Sequence, residues 1–182
     1  MSTLARLKSF YRNYGECDMN IFYLHRDVWQ CAKMHCDVHV NKMILESAQL
    51  LSTAHHELGS TAPYKTTHKN HPSAVWARSG RYQYLWLYRL LEALSDEYTE
   101  RYGRVHKTWE RCSEALSEPP TGIPDIMFTK PPQCMPDECK DDDTEVAYRN
   151  YYTQKNLDWI KAGRPMTWKN VDNIFLESLY DR

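Results

Sequence analysis

Apolar residues recur at helical spacing through most of the chain, and Gly and Pro punctuate the runs. From about Arg26 to His56 the stretch RDVWQCAKMHCDVHVNKMILESAQLLSTAHH contains neither Gly nor Pro, and Gly59 ends it. Residues 57–70 read as a loop. Pro72 suits the first turn of a second long helix that reaches about Tyr102, with Gly103 as its stop. A shorter helix is expected around Thr108–Leu116, and another from Thr144 to Ala162, with Asp143 or Thr144 as N-cap and Gly163 as stop. Between them, residues 117–143 hold six prolines and an acidic end. Loops of that length within compact domains tend to carry function or to move. The tail RPMTWKNVDNIFLESLYDR predicts a last short helix, and no repeats are present. The segment MNIFYL starts a cleaner pattern at Met19, so residues 1–18 read as an appendage and 19–182 as one domain. The fold class is mainly α: a compact single-domain helical fold with long first and middle helices and a long Pro-rich loop.

The first helix carries the sharpest chemical signal. At about 100° per residue, His35, His39, Lys42, Glu46, Gln49 and Thr53 fall within an arc of roughly 80°. Val38, Val40, Met43, Ile44, Leu45, Ala48, Leu50 and Leu51 occupy the other directions. A surface helix is polar over about half its circumference; this one reads as buried on most sides with one narrow ionisable line. Burial of such groups shifts their pKa values and marks candidates for catalysis. Lys42, between His39 and Glu46, is placed to be a desolvated nucleophile, with Glu46 as its ion-pair partner or proton relay.

A second constellation is THKNHP. His68, Lys69, Asn70 and His71 immediately precede a helix N-terminus, where cationic side chains and exposed N–H groups suit an anion. The same histidines raise a metal reading, in which His35 and His39, one helical turn apart, are completed by His68 and His71. No HExxH or CxxC supports it.

Composition narrows the classes. The 182 residues include 13 Tyr, 6 Trp and 8 His but only 6 Gly, and no Gly-rich phosphate loop. Nothing in the chain calls for a cofactor. No apolar run approaches a membrane span. The first residues lack the apolar core of a secretory signal, and the six cysteines form no CxxC pair. An intracellular, cytoplasmic chain with reduced thiols is therefore expected. The formal charge of −1 excludes a uniformly basic nucleic-acid coat, yet segment 65–111 has 9 basic against 5 acidic residues. That local excess suits phosphate contact. Within it, DEYTERYGRVHK interleaves Tyr98, Arg101, Tyr102, Arg104, His106 and Lys107, and later YRNYYTQK interleaves Tyr148, Arg149, Tyr151, Tyr152 and Lys155. Such interleaving suits backbone contact combined with base stacking. Trp29, Trp76, Trp86 and Trp159 read as core; Trp168, between Arg164 and Lys169, is the better stacking candidate.

Taken together, CAKMHCDVHVNKMILESAQLLSTAHH, THKNHPSAVW, DEYTERYG, MPDE and AYRNYY resemble a widespread family of uncharacterised tailed-bacteriophage proteins. The order of MNIF, AKMHCDVH, the helix after His71 and GRPMTW is also similar to the phage pyrimidine-dimer DNA glycosylase/AP-lyase family. That likeness implies an all-α enzyme with a strand-like start, attacking C1′ of a damaged nucleotide with an amine assisted by a helical glutamate, in the host cytoplasm. Carried over, the amine falls at Asn20 if Met19 were the first residue and were removed. The glutamate's place falls near Lys42, one turn from Glu46.

The expectation is a phage-type enzyme processing a base or its glycosidic bond, in the manner of a DNA N-glycosylase/AP-lyase for damaged or modified pyrimidines, with DNA or a nucleotide as partner. His35, His39, Lys42 and Glu46 would do the chemistry. His68, Lys69, Asn70, His71, Arg101, His106, Lys107, Arg149 and Trp168 would bind substrate. The alternatives are a metal-dependent hydrolase of nucleotides using the histidines, and a non-enzymatic module binding DNA or a host protein.

Overall fold

A computed structural model describes residues 19–172, 176 and 177. The appendage 1–18 and most of the expected tail helix lie outside the described residues. Residues 164–172 of the tail are not helical. Within the described span 19–172, six helices follow in order: α1 Val28–Met34, α2 Asp37–Glu57, α3 Pro72–Ala77, α4 Arg81–Tyr102, α5 Lys107–Cys112 and α6 Thr144–Lys161, with a 3-10 turn at Asp137–Cys139 before α6. No strand occurs among the described residues; the MNIF segment that the glycosylase resemblance expected to be strand-like is irregular.

The mainly α expectation holds, and the two long helices pack on each other through Val40, Met43, Ile44, Leu50 and Leu51 of α2 and Leu87, Leu90, Leu91 and Leu94 of α4, all buried. Met19, Ile21, Tyr23 and Leu24 join the same core from the N-terminal side, and Ala147, Tyr148 and Tyr152 join it from α6. Fully burying an aliphatic side chain contributes about 1.5–3 kcal/mol, so this apolar face holds α2 in place far more firmly than helix propensity does. Trp29 departs from the expected core, with 47% exposure.

Each long helix of the sequence reading is interrupted once. The first breaks at His35 and Cys36, both in extended conformation. No Gly or Pro marks the place because the cause is tertiary. The Cys36 N–H donates to the Tyr152 hydroxyl at 2.7 Å, and the Asp37 N–H donates to the Thr167 carbonyl at 2.8 Å. Backbone donors left without helical partners are satisfied from over a hundred residues away, so the break costs little. The second break, at Arg78–Gly80, separates α3 from α4 where the Pro-rich loop crosses and the Arg81 N–H donates to the Pro124 carbonyl at 2.8 Å. A Cβ at Gly80 would stand 2.5 Å from Gln83 Oε1 and 2.6 Å from Ile126 Cγ1 of the crossing loop, so those side chains would have to shift to admit one. The expected stops behave as capping rules require. Gly103 ends α4 in the left-handed region with φ of 67°, and Asp143 caps α6 by accepting from the Glu145 N–H at 2.8 Å.

Arg101 ties the first break to the end of α4. It is 2% exposed. Its Nε donates to Glu97 at 2.7 Å, one Nη to Asp37 at 2.9 Å and the other to the Lys33 carbonyl at 3.0 Å. Asp37 in turn accepts from the Thr167 hydroxyl at 2.7 Å and the Lys169 N–H at 3.0 Å. Replacing Arg101 by Met would leave two largely buried carboxylates without their cation. The expected loss is about 3 kcal/mol, read as a lower urea midpoint with unchanged slope. A loss below about 1 kcal/mol would contradict this role.

Candidate functional site

The exposed positions of α2 do not coincide with its ionisable line. Val38, Asn41 and Leu45 face outward, with Lys42 and Gln49 half-buried beside them. On a 100° wheel their centre lies roughly a fifth of a turn from the centre of the polar stripe. The stripe is therefore split. Lys42, Glu46 and Gln49 reach the open face, while His35, His39 and Thr53 turn into the protein.

The open face forms one wall of a cleft of about 750 Å³. Val38, Asn41, Lys42, Leu45, Glu46 and Gln49 line it from α2; Tyr98 and Tyr102 line it from the end of α4; Arg104 and His106 line it from the α4–α5 connection, with Asp37 at the α2 N-terminus. Lys42 Nζ lies 3.1 Å from a Glu46 carboxylate oxygen, with the lysine side chain 38% and the glutamate 9% exposed. The amine is thus ion-paired and in contact with solvent, which corrects the expectation of a desolvated lysine. Across the cleft the Tyr98 and Tyr102 ring centroids are 4.8 Å apart, and the His106 ring meets Tyr98 edge-on at 4.8 Å. His106 caps α5 by accepting the Thr108 N–H on Nδ1 at 3.1 Å. Its proton is consequently on Nε2, which donates to the Asn41 side-chain oxygen at 3.1 Å and ties the two walls together. Burial, aided by the Arg104 charge, lowers the His106 pKa.

His35 and His39 do not line the cleft. His35 is fully buried; its Nδ1 bonds the Cys31 carbonyl at 2.7 Å and its Nε2 has no partner. His39 bonds the Tyr152 hydroxyl at 2.8 Å through Nδ1 and stacks under Phe22 at 4.6 Å. The Tyr152 hydroxyl thus joins His39 to the Cys36 N–H, which donates to its oxygen at 2.7 Å. Burial pushes the His35 pKa down to about 4 and takes His39 well below its ordinary value; His35, Lys155 and Lys42 add to the latter electrostatically. Both rings are neutral packing and hydrogen-bonding elements at neutral pH.

The THKNHP constellation does not join the cleft either. It packs near the far end of α2, where Thr53 Oγ1 bonds both the Thr67 N–H and carbonyl at 3.2 Å. Thr53 lies eleven residues beyond Lys42, roughly 16 Å along the helix. His71 accepts from the Ser73 N–H at 3.2 Å and so caps α3. Lys69 pairs with Glu57 at 3.7 Å, and His68 and Asn70 are exposed. Hence His35, His39, His68 and His71 do not converge, and no three His, Cys, Asp or Glu among the described residues form a group able to hold a metal.

Of the remaining residues expected to bind substrate, only His106 lines the cleft. Arg101 is a buried strut. Arg149 donates to the Leu24 carbonyl at 2.9 Å, and Trp168 donates to the Met34 carbonyl at 2.9 Å, so both are held by the fold. Lys107 is exposed. Asn20 is 2% exposed, with its side chain committed to Ile21, Phe22 and Cys134. Val38 and Leu45 escaped the sequence reading because apolar residues were placed inward by type, and Asn41 because it lies off the ionisable line. Tyr98, Tyr102 and Arg104 were visible as a Tyr-basic run but were not singled out.

No helix among the described residues is long and apolar enough to cross a membrane. The thiols of Cys31, Cys36, Cys112 and Cys139 are free and buried, and Cys134 is buried.

The buried histidines give a pH test. A folded pKa below the ordinary 6.5 means that protons bind the unfolded chain more tightly. The His35 contribution is complete above about pH 6.5 and is lost as pH falls toward 4, where it amounts to about 3 kcal/mol. Urea unfolding at pH 7 and pH 4.5 should show a smaller acid loss in His35→Leu than in the wild type; equal losses would contradict the assignment. Comparison with family models, curated proteins and solved structures finds no match to this chain.

Proposed function

We propose that the protein is a nucleic-acid base-processing enzyme of the N-glycosylase/lyase kind, working in the cleft between α2 and the end of α4. The observation that carries this reading is the Lys42–Glu46 pair at 3.1 Å on one wall, facing tyrosines and a neutral histidine on the other. A base entering the cleft meets a stacking surface at the half-buried Tyr102, backed by the buried Tyr98, and amide groups at Asn41 and Gln49 suited to its polar edge. The likeness to phage glycosylases supports damaged or modified pyrimidines as the target.

Lys42 must lose a proton to act as a nucleophile, and the Glu46 carboxylate is the adjacent acceptor. The neutral amine forms a bond to C1′ as the N-glycosidic bond breaks. The base leaves with the bonding pair and is protonated by water. Sugar-ring opening then gives an imine on Lys42. Removal of a C2′ proton expels the 3′ phosphate, and water hydrolyses the imine to regenerate the lysine.

Borohydride trapping tests the reading. The protein is incubated with oligonucleotides containing either an abasic site or a pyrimidine dimer, each as single strand and as duplex. A covalent adduct is expected with wild type, none with Lys42→Ala, and adduct formation slower by about 10²–10⁴ with Glu46→Gln. An adduct that persists in Lys42→Ala, or none with any substrate, would overturn it; binding without an adduct is the outcome for a non-enzymatic module.

A further inference from the structure

The cations of the cleft differ in what offsets them. Lys42 pairs with Glu46, and Asp37 pairs with Arg101, so the floor of the cleft is internally compensated. Arg104 and Lys169 have no carboxylate within ion-pair distance among the described residues. Both are exposed, and both are held in place by tyrosines of the cleft wall. Arg104 Nε donates to the Tyr98 hydroxyl at 3.1 Å, and its guanidinium lies 5.9 Å from that ring's centroid. Lys169 Nζ lies 5.4 Å from the Tyr102 centroid, while its backbone N–H is fixed on Asp37 at 3.0 Å.

Arg104 lines the cleft, and Lys169 lies over Tyr102, which also lines it and whose ring is 4.8 Å from that of Tyr98; the cleft offers amides and apolar surface beside these two uncompensated cations. An anion at these cations joined to a flat, partly polar body in the cleft is the complementary ligand. The cleft, at about 750 Å³, is within the size range of single small-molecule sites. The chain as a whole carries a formal charge of −1, which gives little help in tracking a polyanionic duplex.

We propose that Arg104 and Lys169 form a phosphate clamp, and that the ligand of the cleft is one nucleotide of a single strand, with its phosphate between these cations and its base against Tyr102. This rests on the preceding reading for the identity of the cleft but adds the form in which the nucleic acid is recognised.

Salt dependence of binding tests it without any chemistry. A short, undamaged, fluorescently labelled oligothymidylate and a duplex of the same length are titrated with the full chain over a range of salt concentrations. One phosphate clamped on a single strand gives a slope of log K against log salt of about −0.7. Arg104→Gln and Lys169→Gln should each flatten this slope, and the double variant should abolish it, whereas Arg104→Lys, which keeps the charge, should retain it. Both residues are exposed, so these variants should fold, which circular dichroism checks. Slopes unmoved by either neutralisation, duplex bound more tightly than single strand, or no binding of the oligothymidylate would overturn the clamp. Trapping and titration fail separately: an adduct without the slope change removes the clamp and leaves the chemistry, and the converse removes the chemistry and leaves the clamp.

Discussion

The buried ion pair between Arg101 and Asp37 is the constraint on which the arrangement of the site depends. Taking a guanidinium and a carboxylate from water is expensive, and their attraction offsets it only with good geometry and further hydrogen bonds. Here Arg101 makes three bonds, to Asp37, Glu97 and the Lys33 carbonyl. Asp37 also accepts from Thr167 and Lys169. One interaction therefore joins the end of α1, the start of α2, the last turn of α4 and the segment after α6. A hydrophobic replacement could rival its stability but could not set these directions. The cleft is a consequence: with the start of α2 held against the end of α4, the outward face of α2 and the tyrosines of α4 become opposite walls.

A second constraint explains why the ionisable line of α2 is divided. Phe22 adopts a φ of 50°, a conformation a bulky aromatic side chain seldom takes. The Asn20 side chain holds the turn, accepting from the Ile21 N–H at 2.8 Å and donating to the Cys134 carbonyl at 2.8 Å. In that position Phe22 stacks on His39 at 4.6 Å and on Tyr151 at 6.0 Å, and meets Tyr152 edge-on at 5.4 Å. The first two residues of the stripe are spent on closing the N-terminal segment and α6 over α2. Lys42 and Glu46, one and two turns further on, remain available to the cleft.

Local rules made the helices legible. Asp143, Gly103 and Gly163 act where capping and stop signals placed them, and Pro72 opens α3. The breaks were not legible in the same way. The one at His35–Cys36 is produced by Tyr152 and Thr167, and no nearby residue announces it. Gly80 was visible, but its meaning depended on the Pro-rich loop crossing above it. In the site, Lys42 and Glu46 were found because helical periodicity relates residues within one element. His68 and His71 were grouped with them wrongly, since periodicity is silent on where a loop of another element lands. Arg101 illustrates the same limit. Beside Tyr98, Tyr102 and Arg104 it reads as one more cation for a phosphate, and only the position of Asp37, 64 residues earlier, turns it inward.

The claim that unites this account is that the cleft between α2 and the end of α4 receives a nucleotide. Titration of the protein with thymidine 5′-monophosphate, followed by backbone amide chemical shifts, tests it most directly. Shifts concentrated at Asn41, Lys42, Glu46, Tyr98, Tyr102 and Arg104, saturating together, are the predicted result. Shifts confined to His68–His71, or none at saturating nucleotide, would contradict it.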